Sequence, residues 1–161
     1  MQLNRQCRVG FEPDIVRSPA VQAFHAYWQK LRGEREFPAK SQVDIADIPR
    51  LAANLMLLRV TYDPPDFEYR IVGDEIVTRL GSVKGRRVRE AALINVDASA
   101  YRNYCAVIEA RRPQFLEGWA LFPFKSEQRY LLSRVHCPLS EDGRTIDHIL
   151  SCMAFGPNEV S

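Results

Sequence analysis

The sequence predicts an α+β domain: a five-stranded antiparallel sheet with helices on one face, preceded by an amphipathic helix. Three observations predict it. Phe67, Tyr69 and Ile71 alternate with Glu68, Arg70 and Val72, the period-2 pattern of a half-buried strand. Gly73, Gly81 and the Lys84-Gly85 turn then break the chain into short pieces. In the first piece Asp74 is placed to cap, and Ile76, Val77 and Leu80 recur at helical spacing. Further on, Asp142-Gly143 separates two strand-like runs and is a strong hairpin signal.

Composition sets the bounds. A chain of 161 residues, 46% apolar and 26% charged, is an ordinary globular domain able to bury a core. A net charge of +2 argues against binding nucleic acid through bulk electrostatics. The basic residues are 18 Arg against 4 Lys. A GC-rich genome explains that ratio; so does a need for forks that fit carboxylate or phosphate. No apolar run is long enough to span a membrane. Arg5, Arg8, Glu12, Asp14 and Arg17 interrupt the first 17 residues, which therefore do not read as a signal peptide. Cys7, Cys105, Cys137 and Cys152 show no C-x-x-C spacing and read as reduced core thiols, so a cytoplasmic protein is expected.

In chain order, residues 1–17 are expected to be a flexible, irregular tail. Ser18 caps and Pro19 opens a helix over 18–33 that Gly33 closes. Its stripe of Val21, Phe24, Trp28 and Leu31 either covers a sheet face or meets the same helix of a second subunit, making these four the candidate homodimer interface. The main domain is expected over 34–156, with residues 157–161 a second tail. It starts with a loop over 34–43 containing Pro38 and a brief helix over 44–53. A strand over 55–62 follows, then the turn Asp63-Pro64-Pro65-Asp66 and the Phe67 strand. After the glycine-marked pieces, a helix over 97–111 carries Tyr101, Tyr104, Cys105 and Ile108 on one side and ends at Pro113. Strands over 114–123, 128–139 and 144–155 complete the order.

A string of residues points to a family. Tyr27-Trp28, Leu31-Arg32-Gly33, Pro38, Ile48-Pro49, Tyr69-Arg70 with Gly73, and Pro138-Leu139 before Asp142-Gly143 resemble the stand-alone PAS domains of α-proteobacteria, long catalogued only as a domain of unknown function. The resemblance covers residues 18–155 and implies a signalling or sensory role. It carries no catalytic signature.

Motifs for known chemistry are missing from the sequence: no Gly-rich phosphate loop, no G-x-S-x-G, no H-E-x-x-H. Cys105 or Cys137 could pair with His136 or His148 as a nucleophile, but nothing supplies an orienting third group. If Asp142-Gly143 centres the hairpin, His136 and His148 face each other and Cys152 shares their side, a partial metal set that lacks a fourth ligand. No metal is expected. Set beside PAS sensors that hold cofactors, residues 74–88 lack the flavin-linking cysteine and 97–111 lack a haem-ligating histidine, so the resemblance implies neither flavin nor haem.

Two readings follow. One is a non-catalytic signalling module that works by protein–protein contact, as a homodimer or on a regulatory partner. In that reading Lys84, Arg86, Arg87 and Arg89 are a candidate patch for an acidic surface or phosphate, against the plainer view of a solvated loop. The other is a small-molecule sensor with its ligand between the long helix and the sheet. Tyr101, Cys105 and Ile108 would form the helical wall there, and Phe115, Trp119, Arg134, His136, Ser151 and Met153 the strand side. Arg134 discriminates: it must reach solvent, pair with a carboxylate such as Glu109 or Asp147, or hold an anion. An enzyme with a polar cluster around His136, His148 and Cys152 is the third alternative.

Overall fold

The computed structural model describes residues 2–3, 7–93, 98–121 and 128–160. The five expected strands are present: β3 (Leu55–Thr61), β4 (Asp66–Val72), β5 (Gln114–Leu121), β6 (Gln128–Leu139) and β7 (His148–Val160). Two more precede them, β1 (Gln2–Leu3) and β2 (Arg8–Gly10), both antiparallel to β5. The order is β1-β5-β6-β7-β3-β4, with β2 also on β5, and every pairing is antiparallel. The helices are α1 (Pro19–Arg32), α2 (Asp74–Leu80), α3 (Val88–Leu93) and α4 (Ala98–Ala110). The expected start of the long helix at Asp97 and the end of the first C-terminal strand at 122–123 lie outside the described residues. No described helix is long and apolar enough to cross a membrane.

The expected irregular tail is a correction. Residues 8–10 form a strand and 13–15 a 3-10 turn, and Val16 is buried. A buried carboxylate ties this segment down. Glu117 on β5 accepts from the Arg17 backbone N–H at 2.7 Å, from Arg8 at 3.2 Å and from the Ser133 hydroxyl at 3.2 Å. Gly118 lets the chain lie close, since a Cβ there would sit 3.0 Å from Cys7.

Helix α1 begins as the sequence implies, with the Ser18 hydroxyl accepting from the Val21 N–H and Pro19 at its first position. Its stripe is spent within the chain. Val21, Phe24 and Trp28 are buried against β6 and β7, the Trp28 indole donates to the Pro138 carbonyl at 2.9 Å, and His25 meets Phe115 edge-on at 4.9 Å. The candidate dimer interface is therefore core, with only Leu31 half-buried. Helix α4 packs on the other face, against β4, β5 and β6.

Local breaks carry the rest. Gly73, not Asp74, is the N-cap of α2; Asp74 is its first residue. Gly73 is required by contact: a Cβ would lie 2.3 Å from the Ala53 carbonyl oxygen. A register shift between Leu57 and Leu58 turns Ile71 to the α1 face, whereas Phe67 and Tyr69 stay on the α4 face. The last strand starts at His148 rather than at 144. Asp142 accepts from the backbone of Arg144 and Thr145 and from Ser140, bonds that hold the turn together and its carboxyl down at about 2.

Because Phe24 is wholly buried, Phe24→Ala should lower stability by about 3–5 kcal/mol in urea unfolding, independent of protein concentration. A cost below about 1 kcal/mol, or one that varies with concentration, would contradict the in-chain packing of α1.

Candidate functional site

Strand register decides which side chains meet. Gln114, His136 and Ser151 lie side by side across β5, β6 and β7; Leu116, Arg134 and Met153 form the next rank. In-register residues share a face, and residues two apart on a strand share it too. Tyr104 of α4 meets His136 edge-on at 4.7 Å, which puts the first rank against α4 and both ranks on the face of the sheet that α4 covers.

His136 is fully buried, and its Nδ1 lies 2.5 Å from the Ser151 hydroxyl. Burial, then the nearby Arg134 charge, pushes its pKa well below the usual histidine range, so the ring is neutral. Its Nε2 is buried and has no partner among the described residues. The same is true of the Gln114 Oε1.

Arg134 is the informative residue. It is 2% exposed, so the solvent-facing alternative does not hold. It does not pair with the suggested carboxylates: Glu109 is exposed, and Asp147 binds the His148 ring and the Glu141 N–H. Among the described residues, Nε and Nη2 have no hydrogen-bond partner. These two nitrogens form one edge of the guanidinium, the fork that grips a carboxylate with two parallel bonds. Buried polar atoms are nearly always bonded to protein, water or ligand, and a lone buried charge is costly.

Part of the expected residue set shares one face of the sheet. Arg134, His136, Ser151 and Met153 come together as proposed. Phe115 and Trp119 do not: odd positions on β5 face α1, as the Phe115–His25 contact shows. On α4 the buried face is Ala100, Tyr104 and Val107; Tyr101, Cys105 and Ile108 are half-buried beside it. Tyr101 donates to the Pro65 carbonyl at 2.8 Å. Gln114 was missed, although a glutamine opening a strand whose only other polar side chain is Glu117 was the available signal.

The metal set fails on parity, and so does the pairing of Cys137 with His136. His136 pairs with Ser151 and His148 with Leu139, so His136 faces α4 while His148 and Cys152 face the other way. No metal-binding group of His, Cys, Asp or Glu occurs among the described residues. Cys137 adjoins His136 in sequence but points to the opposite face. Burial raises its thiol pKa well above the ordinary value and pushes Cys152 up to about 12. Both are inert core thiols.

Local contacts account for part of the basic stretch. The Tyr69 N–H donates to the Arg86 carbonyl at 3.0 Å and the Gly85 N–H to the Tyr69 carbonyl at 2.7 Å, capping the free edge of β4. Arg87 reaches Asp66 at 3.7 Å and Glu68 at 4.0 Å. On the α1 face a separate pocket of about 100 Å³ is lined by Val43, Ile45, Leu55, Leu57, Ile71 and Leu150, with Lys40 at its side. It is apolar and well below the ~300–1,000 Å³ of ordinary ligand sites.

Residues 16–116 match the model of a PAS domain family, and the chain belongs to that family. No curated protein matches the sequence. Among solved structures it is similar to an RNA-binding light-oxygen-voltage receptor at 12% identity, with a TM-score of 0.47. That match covers 73% of this chain and 35% of the receptor chain, so this chain spans about a third of that protein's length.

A buried histidine held neutral predicts a pH dependence. The unfolded chain takes up a proton near the ordinary value of 6.5 and the folded His136 does not, so stability falls as pH drops below that value. One such group contributes a slope of at most about 1.4 kcal/mol per pH unit. His25, also lowered by burial, acts in the same direction. Urea midpoints at pH 7, 6 and 5 should therefore fall less steeply in His136→Gln than in the parent. Equal slopes would show that His136 is protonated in the fold.

Proposed function

We propose that this PAS domain is a non-catalytic sensory module that binds a small molecule between α4 and the sheet and passes its state on by protein contact. The observation that carries the reading is Arg134, turned inward with one guanidinium edge unpartnered among the described residues. A module that only docked would have no use for a charged fork in its core, where a methionine or leucine would pack at lower cost. The narrower assignment to the stand-alone α-proteobacterial group rests on the motif string from Tyr27-Trp28 to Asp142-Gly143. The partner is a regulatory protein or a second copy of the chain, met through a surface other than the buried stripe of α1.

Mass spectrometry of the protein as purified, run native and then denatured, tests this reading. The expected result is a bound small molecule in the native spectrum that is lost on denaturation and absent from Arg134→Gln. Identical native and denatured masses, with no added compound shifting the melting temperature, would leave the docking module standing instead.

A further inference from the structure

We infer that the ligand is a small carboxylate, with a hydrogen-bond donor such as a hydroxyl a few bonds from its acid group. The inference rests on the sensor reading above and names the ligand class for that site. Arg134 is the only buried cation among the described residues. Its unpartnered atoms, Nε and Nη2, are the two donors of one edge, spaced for the two oxygens of a planar carboxylate. The charge matches as well. His136 is neutral beside it, so the site offers a single positive charge, which a monoanion balances. A phosphate monoester, at about −1.5 to −2, would leave buried negative charge uncompensated.

The second group follows from register. His136 is two residues along the strand from Arg134, roughly 6–7 Å at the rise of an extended chain, and Gln114 is in register with it. The Gln114 Oε1 accepts a hydrogen bond, and the His136 Nε2 donates or accepts according to which way the Ser151 hydroxyl points. A hydroxyl there could donate to Gln114 and still meet His136. Leu116 and Met153, beside Arg134, form an apolar flank for the short carbon chain between the two polar ends.

The test is a thermal-shift panel on the full chain at constant ionic strength. Propionate, lactate, 4-hydroxybutyrate and succinate are compared with propionamide, lactamide, 4-hydroxybutyramide and succinamide. At least one acid should raise the melting temperature by about 3 °C or more at millimolar concentration while its amide does not. The hydroxylated acids should act at lower concentration than propionate. Arg134→Gln should abolish the response. Arg134→Lys, which keeps the charge but not the fork, should need at least about tenfold more acid. If neither variant folds, the acid–amide contrast in the parent protein still decides. Amides that act as well as acids, or a neutral compound recovered from the purified protein and retained by Arg134→Gln, would overturn the carboxylate and leave the sensor reading intact. No response to any acid, together with no bound compound in the native spectrum, would overturn both.

Discussion

The central strands of this sheet are covered on both faces, and most of the structure depends on that. Residues 132–140 of β6 and the turn after it are buried without interruption, as are 149–153 of β7. On a strand with one wet face, alternate residues can be polar at no cost. Within these runs, and in 114–118 of β5, none can, so each polar side chain there has to find its partner inside. The two faces differ in how this is met. On the α1 side, Glu117 takes hydrogen bonds from Arg8, Arg17 and Ser133, and the N-terminal segment is held in place by supplying two of them. On the α4 side, Ser151 serves one nitrogen of His136, whereas Arg134 and Gln114 retain polar atoms without protein partners among the described residues. The same physical demand is met by a structural contact on one face and, among the described residues, left partly unmet on the other.

What the sequence made legible was the set of elements; what it hid was the facing of their residues. Period-2 alternation located β4, an aliphatic run β3, and the glycine breaks α2, each to within a residue or so, because those signals are local; α3 was not placed. Facing depends on register, which is set by turns whose bonding is not written in the pattern. The Asp142 Oδ1 accepts from Ser140, Arg144 and Thr145 and β7 starts only at His148, which shifts the pairing by two residues; such a shift keeps faces, and a hairpin centred on Asp142-Gly143 already sets His136 opposite Ile149, so His148 and Cys152 face away from His136 in either register. A single bulge sends Ile71 to the opposite face from Tyr69. On α4 an apolar or aromatic residue occurs at both Tyr101 and Tyr104, and the pattern alone does not say which one the sheet will take. The family resemblance pointed to no site, since none of its motif residues belongs to the polar ranks on the α4 face.

Tyr104 links the site to the rest of the inner face. Its ring lies 4.7 Å from His136 and 5.2 Å from Phe67, and Phe67 in turn is 5.9 Å from Tyr101. One side of α4 thus rests on β6 at the polar ranks and on β4 at the far edge of the sheet. A close-packed contact of this kind does not deform by degrees: displacing the His136 ring means moving Tyr104 or changing its rotamer. The edge strand it reaches is the one capped by the basic stretch.

That cap bears on where a protein partner would sit. An exposed strand edge invites pairing with other chains, and charged side chains on or beside it are a common protection. Residues 85–87 satisfy the backbone of Tyr69, and Arg87 is drawn onto Asp66 and Glu68. Edge protection is therefore a sufficient reason for the charge of Arg87, but not for those of Lys84, Arg86 and Arg89. The described surface has a different kind of feature on the α1 side, where Ile45 and Ile71 stand exposed at the apolar pocket between the 40–45 segment and β3. Bulk charge is a poor basis for contact in a chain of net charge +2, whereas exposed aliphatic side chains bring the desolvation gain on which specific interfaces depend. The two faces thus differ in chemistry: a buried charge on the α4 side, and an apolar outer margin on the α1 side.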